Sequence, residues 1–532
     1  KYRFQADDKT DFTLSAIWTP YEGEYFLNNT RNSSFTVDGG GVSLNATIER
    51  EFDFGKFESI LAWRQSENSR RAQNDFYSYD ADGASTPWGI GYSKYSQEGG
   101  NGDVDTLQSS WTIANHVEFK PVRLLSMEHQ VSAGATYERT VADYDRLDTT
   151  LITQWTDYAG LVCDGSSDNC ISGEQYAKKM WVYGKDSASA EITFVDLYLE
   201  DNLTWGHLTL RPGVHVGYND LTKNTDYAAR SLASYDLFND KRSILHFGAN
   251  RYYGKTFLTY SLNEEKIGST YWKRSLDGDS PAEWVDSTVL SRSTRFSSLK
   301  TPRVDEWSIG FEQQCFGGFL VIDFIDRNSE DSLAYTKITT DDGVLYQELN
   351  NNGEGRHKEL TLSWERQWQS YYLFVDATWQ DSETSNEDYA DRLEDEDLAE
   401  IVWYNEHGTY LIDLPRADYN REWSANLIYS TTLPHGFSFT NIIRYRSGYE
   451  AIGDTGENYL LDGEKIDIFD DISYPSATTF DWKIEWEYPV TETQTLTISA
   501  DITNVFNRRI YTGIEGRYQM GRQLWVGVDY SF

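Results

Sequence analysis

The last ten residues, Gln523-Leu524-Trp525-Val526-Gly527-Val528-Asp529-Tyr530-Ser531-Phe532, decide the fold of this chain. A β-strand turns successive side chains to opposite faces. Leu524, Val526, Val528, Tyr530 and Phe532 therefore share one face, and Trp525, Gly527, Asp529 and Ser531 share the other. The first face suits an apolar phase and the second something wetter. The edge of a soluble β-sandwich could carry the same ten residues, so recurrence of the pattern has to choose between the two environments.

It recurs along nearly the whole chain. Phe480, Trp482, Ile484, Trp486 and Tyr488 alternate with Asp481, Lys483, Glu485 and Glu487. Leu208, Leu210, Pro212, Val214, Val216 and Tyr218 alternate with Thr209, Arg211, Gly213, His215 and Gly217. Such segments run to about ten residues, the length that crosses a bilayer at a tilt. Aromatics crowd their ends, which suits a girdle at the membrane interface. The pattern predicts a lipid-facing surface that includes Phe480, Trp482, Ile484, Val526, Val528 and Phe532.

Composition agrees. Only 39% of the 532 residues are hydrophobic, and aromatics reach 15%. No apolar run approaches the roughly 20 residues of a membrane-spanning helix. A barrel has this profile because half of each strand faces a polar lumen. The net charge of -38 argues against nucleic acid as a partner, since phosphate would be repelled. Much of the acid sits in loop-like runs, Glu387–Glu400 and Asp462–Asp471, which read as solvated surface without a calcium-site spacing. No HExxH, GxSxG or phosphate-cradling loop is present, so neither an enzyme nor a cofactor or metal site is expected.

The pattern yields about nineteen strand candidates, from Tyr2–Gln5 and Phe12–Thr19 to Gln494–Phe506 and Gln523–Phe532. Ser243–Tyr252 and Lys255–Leu262 are among them. Connections alternate between short turns, such as Asp53–Lys56, Trp205–His207 and Tyr252–Lys255, and long loops, such as Asp220–Arg242 and Glu330–His357. Short inner turns and long outer loops are the asymmetry of an antiparallel up-and-down transmembrane β-barrel. The last strand runs inward, and so by parity does the first. A complete barrel of one chain has an even number of strands, so an odd number is expected to be missing before Lys1; three would give about twenty-two.

A barrel of that size resembles the TonB-dependent outer-membrane transporters, and several local stretches carry the likeness. Ile502-Thr503-Asn504-Val505-Phe506-Asn507-Arg508-Arg509-Ile510-Tyr511 is similar to the family's signature near its penultimate strand. Leu299–Gly310, Phe57–Arg64 and Arg211–Tyr218 resemble family strand entries, although Thr301 and Arg303 depart from the first of these. The resemblance spans most of the chain and implies that residues 1–532 form the C-terminal barrel, with the plug domain and first strands lying elsewhere. It implies a Gram-negative outer membrane, lipid and lipopolysaccharide as surroundings, a TonB energy-coupling complex as partner, and import of a scarce bulky nutrient. An iron–siderophore complex is the default cargo, with an oligosaccharide or peptide as alternatives. A passive channel or adhesion barrel is the competing reading. The Phe-Arg-Ala-Pro stretch and loop His of the haem importers are not recognisable.

Loop aromatics are the ligand-contact candidates: Trp155, Tyr158, Trp181, Trp272, Trp284, Trp403 and Tyr404 could stack on rings of a cargo, or could simply stiffen long loops. Cys163 and Cys170 bracket a hydrophilic segment with no nearby His or further Cys. An oxidising exterior favours a disulfide between them over a metal site. Cys315 stands alone at a tight turn.

Overall fold

The computed structural model describes residues 1–81, 83–89, 95–163, 169–255, 257–295, 298–339, 345–384, 401–410, 414, 421–461, 464–511 and 518–531. Nineteen of its strands form one wall, each hydrogen-bonded antiparallel to the next in chain order. They are β1 (Tyr2–Asp7), β2 (Thr10–Tyr25), β3 (Phe35–Phe52), β4 (Gly55–Arg71), β5 (Val104–Phe119), β6 (Met127–Arg146) and β7 (Asp186–Trp205). Next come β8 (Leu208–Asn219), β9 (Thr225–Asp236), β10 (Ser243–Tyr253), β11 (Arg303–Cys315), β12 (Gly318–Thr339) and β13 (Leu345–Gln367). The series closes with β14 (Tyr371–Thr384), β15 (Trp423–Leu433), β16 (Phe437–Arg446), β17 (Ala477–Pro489), β18 (Thr495–Thr503) and β19 (Gln523–Ser531). With nine short strands outside the wall, they make a 28-stranded sheet.

The apolar phase of the wall points away from the protein. Val526 and Val528 are 70% and 71% exposed, and Ile484 is 43% exposed. Between such residues Asp481 is turned inward, its side chain only 14% exposed. Register carries this face around the wall: Ala500 opposes both Ile484 and Val526, and Ile498 opposes both Trp486 and Val528. In a soluble sandwich these residues would be buried; leaving so much apolar surface in water would cost ~25 cal/mol per Å². Hydrocarbon is the medium that fits. Phe480 shares the face but packs edge-on against Phe506, with ring centroids 5.0 Å apart. Phe532 lies outside the described residues.

The expected number of strands is met through two compensating errors. Asp220–Arg242, read as a long loop, contains β9. Its outward side chains are Tyr227, Ala229, Ser231, Ala233 and Tyr235, too small in the middle to register as an apolar stripe. The connection into β9 is only Asp220–Asn224, where the Asn219 side-chain carbonyl accepts from the Thr222 amide (2.8 Å) and hydroxyl (3.0 Å). Such an Asx turn replaces a longer loop. Conversely, Lys255–Leu262 is not a strand: Leu258–Glu265 forms helix α1. Phe257 and Tyr260, three residues apart, share one side of that turn and are both buried. Glu330–His357 is likewise largely hairpin, because β12 and β13 extend above the membrane to Thr339 and Leu345.

Among the described residues, β1 pairs only with β2 and β19 only with β18. The resemblance motif after β18 has a structural role. Asn504 and Asn507 adopt positive φ of 47° and 51°. The buried Asn504 side chain donates to the Arg508 carbonyl (2.8 Å) and accepts from the Arg508 amide (2.9 Å). Asparagine is suited to both tasks, since it tolerates the left-handed region and bonds local backbone.

Candidate functional site

Four outer loops are woven into one sheet. Thr30–Arg31, from the β2–β3 loop, pairs in parallel with Tyr95–Gly99 of the β4–β5 loop. Tyr95–Gly99 pairs with Asp75–Asp80, which runs parallel to Thr150–Asp157 of the β6–β7 loop. Thr150–Asp157 pairs with Gln175–Tyr183, which pairs with Ser269–Lys273 of the β10–β11 loop. Val285–Arg295 then links Ser269–Lys273 to the outer end of β13. Parallel pairs join segments from different loops, so no single loop could fold this way alone. Polar cross-links tighten the weave. Fully buried Gln175 accepts from the Asp80 amide (2.9 Å) and donates to the Thr86 hydroxyl (2.6 Å).

The sheet is tied into the barrel mouth by α1. Ile192 and Phe194 alternate with outward Val195 and Leu197, so they face the lumen, and Phe257 packs on them together with Leu221, Leu258 and Leu333. Beside that contact lies a cleft of about 230 Å³ whose lining includes Asp196, His215, Asp226, Arg230 and Lys255. The Asp196 carboxylate holds the Lys255 ammonium on one oxygen and lies 3.2 Å from His215 Nε2 with the other. Neighbouring lumen groups continue the polar wall: Tyr198 meets His116, and Glu200 accepts from Arg211 at 2.6 Å. None of these stood out in the sequence, because isolated charges on the wet face of a strand look alike until register brings them together.

The loop aromatics divide between packing and partial exposure. Trp155 and Trp181 are 4% and 5% exposed: the first packs on Tyr79 at 4.8 Å and the second on Tyr271 at 5.2 Å. Burial, reinforced by the Glu98 charge, pushes the Tyr79 phenol up to about 12. Tyr158 donates to Asp279 at 2.9 Å, and that bond raises its phenol above the usual range. The Trp272 indole donates to Thr270 at 3.2 Å, while Trp284 lies under Arg274. These five belong to the woven loops. Trp403 and Tyr404 belong to a separate four-stranded sheet of Ile401–Tyr404, His407–Tyr410, Tyr449–Leu461 and Glu464–Tyr474, where Trp403 stacks on Tyr459 at 3.6 Å. Cys163 and Cys170 are joined in a disulfide at the margin of the woven sheet, and Cys315 is unpaired.

Known proteins share this architecture. The crystal structure of the outer-membrane transporter YddB from Escherichia coli superposes with a TM-score of 0.72 over 99% of this chain and 67% of that one, at 19% identity. The fold is that of a TonB-dependent outer-membrane receptor barrel. The siderophore receptor PirA of Acinetobacter baumannii superposes on this barrel at a TM-score of 0.60, covering 100% of it and 69% of PirA at 10% identity. The ferric enterobactin receptor PfeA of Pseudomonas aeruginosa, in a complex with enterobactin, gives 0.59 over 99% and 69% at 12% identity. In sequence, the barrel is 22% identical to YddB of E. coli strain K12 over 549 aligned positions, spanning 65% of that relative's length. No family model matches. These neighbours are an outer-membrane transporter and two receptors, and the apolar outward face of this barrel fits a membrane in the same way.

Proposed function

We propose that this barrel is the wall and outer mouth of an importer that carries a scarce, bulky nutrient across the outer membrane, with an iron–siderophore complex as cargo. The weave of four outer loops supports this reading most directly. A passive pore needs an open mouth, whereas a sheet joined through α1 to the lumen wall makes a structured vestibule that can engage a large ligand before it enters. Transporter and siderophore-receptor neighbours of the same fold support the same reading.

In this proposal the energy comes from a TonB-type coupling complex, and a plug and further wall strands come from polypeptide outside this sequence. The one-sided pairing of β1 and β19 supports the added strands. In hydrocarbon each unpaired backbone group costs several kcal/mol. A barrel of this width also exceeds what side chains can fill. Lipid and lipopolysaccharide would surround the outward face. Nucleic acid is no partner of so acidic a surface.

The test is uptake of radiolabelled ferric siderophores by cells that hold the full-length protein as their sole receptor. Uptake should be saturable and abolished by an uncoupler. Uncoupler-insensitive uptake, or a constantly open conductance in planar bilayers, would overturn the proposal in favour of a passive channel.

A further inference from the structure

We propose that the outward face of β10–β13, at the outer end of its apolar belt, holds a site for the phosphorylated disaccharide of lipid A, the membrane anchor of lipopolysaccharide. The inference rests on the reading that lipopolysaccharide surrounds this face and is independent of the cargo. Register fixes the face. Phe247 opposes Ile309 and Ala249 opposes Trp307, and the three large residues are exposed on the outer wall, as is Leu360. Charge begins where these residues stop. Arg251 and Asp305 oppose each other one step further out on the same face. Asp326 opposes Trp307 on one side and Lys358 on the other, and Lys358 and Arg356 continue the face of Leu360. Charge on the lipid side of a barrel strand costs least near the interface, so this switch sets the level of the outer head groups.

The cluster interleaves both signs of charge. Arg251 donates to the two Asp305 oxygens at 2.6 and 2.7 Å, and Arg303 pairs with Glu330 and, at 3.1 Å, with Asp331. Two atoms nevertheless lack partners among the described residues. Asp326 is 7% exposed; its Oδ2 lies 3.5 Å from Arg356, while its Oδ1 is buried without a hydrogen bond. The buried Arg303 Nε is unbonded as well. A buried carboxylate oxygen without a donor, or a guanidinium N–H without an acceptor, is costly until a further partner supplies it. A ligand here must therefore bring a donor to Asp326 and an acceptor to Arg303, over acyl chains that lie along Trp307 and Leu360. A phosphorylated, N-acylated amino sugar carries both, in its amide and hydroxyl groups and its phosphate oxygens. Neighbouring strands lie ~4.8 Å apart, so three spacings carry β10 to β13 over roughly 14 Å. That breadth suits a disaccharide head group better than a single phosphoglycerol.

The test is lipid retention by the purified full-length protein in detergent micelles, read by native mass spectrometry. The probes are diphosphoryl lipid A, lipid A stripped of its phosphates, and phosphatidylglycerol. Diphosphoryl lipid A should bind roughly tenfold or more tightly than either of the others. Arg303→Gln should lower its affinity by about tenfold and erase the preference over the stripped lipid. Asp326→Ala separates recognition from charge. If attraction to phosphate alone held the lipid, freeing Arg356 would raise the affinity for both anionic lipids. In the proposed site it lowers the affinity for lipid A by about tenfold, with no such drop for phosphatidylglycerol. Arg123→Gln, on an exposed turn at the opposite end of the barrel, should have no effect. Should Arg303→Gln fail to fold, Asp326→Ala and the three lipids on the wild type still decide the matter. Equal retention of diphosphoryl and stripped lipid A, or a rise in lipid A affinity in Asp326→Ala, would overturn the site and leave the surroundings of the barrel as proposed. Retention of no lipid at all would sink the site together with those surroundings.

Discussion

The Arg274 guanidinium lies over the Trp284 ring, 4.4 Å from its centroid, while donating 2.7 Å hydrogen bonds to the carbonyls of Ala177 and Asn169. Arg274 is 6% exposed, and burial lowers its affinity for the proton, yet this site replaces its water with two carbonyls and two ring faces, Tyr176 being the second. It ties the segment next to Cys170 to the woven sheet. Charge-assisted hydrogen bonds of this kind contribute roughly 1.5–3 kcal/mol each. Arg274→Met should therefore speed amide exchange across residues 169–183 while leaving exchange in β7 unchanged. Unaltered exchange in that segment would show that the disulfide and strand pairing hold it without Arg274.

The disulfide itself should matter locally. Cys163 and Cys170 are separated by 7 in sequence, so the bridge closes a small ring and stabilises by roughly 2–3 kcal/mol at most. Reduction or Cys163→Ser should expose the loop to proteases without moving the thermal transition of the barrel. A large fall in that transition would mean that the woven loops and the wall unfold as one unit.

The cleft beneath α1 predicts an asymmetry between two substitutions. Asp196 faces Lys255 and His215 together. Its removal strands two potential cations, whereas removal of Lys255 leaves the carboxylate with His215 beside it. Asp196→Ala should loosen α1 by about 2 kcal/mol or more in amide exchange, and Lys255→Met by clearly less. Equal effects would show that α1 is held by Phe257 and Tyr260 alone.

Alkaline titration supplies a further check. The Tyr79 phenol is raised from 10.0 to about 12, chiefly by burial. The folded state therefore favours the neutral phenol. The stability this represents is complete below the ordinary tyrosine range and is lost as pH climbs from 10.0 toward 12. The ultraviolet signal of tyrosinate should show a late-titrating component that Tyr79→Phe removes, accompanied by loosening of the woven loops. A Tyr79 that titrated with the exposed tyrosines would contradict its packing on Trp155.

The wall was legible because lipid imposes a strict rule on every strand: Trp482, Ile484, Val526 and Val528 cannot share a face with Asp481 and Lys483. Where the rule is relaxed, the reading failed. The outward middle of β9 consists of alanines and a serine, and Lys255–Leu262 alternates by composition although Phe257 and Tyr260 fit a helix better. The woven sheet was illegible for a different reason. Its pairings join Thr30 to Gln97 and Leu151 to Asp75, separations at which local sequence carries no signal. Loop tryptophans accordingly looked available to a ligand, although Trp155 and Trp181 are consumed by packing between loops.

The strand that the sequence concealed gives the sharpest test of the membrane assignment. Along β9, Tyr227 is 64% exposed and Ala228, beside it, is wholly buried, so the faces remain distinct although the outward one is poor in large apolar groups. Ala229 pairs with Val214, itself 44% exposed on the outer wall, which places Ala229 against hydrocarbon. Arginine at a lipid-facing position near the middle of a barrel strand costs roughly 2–4 kcal/mol, and little at a lumen-facing one. Ala229→Arg should lower the folding free energy of the full-length protein in bilayers by about that amount, while Leu232→Gln on the inner face should be tolerated. If Ala229→Arg were neutral and Leu232→Gln costly, Ala229 would face the lumen and Leu232 the lipid, and the assignment of the two faces of β9 would be wrong.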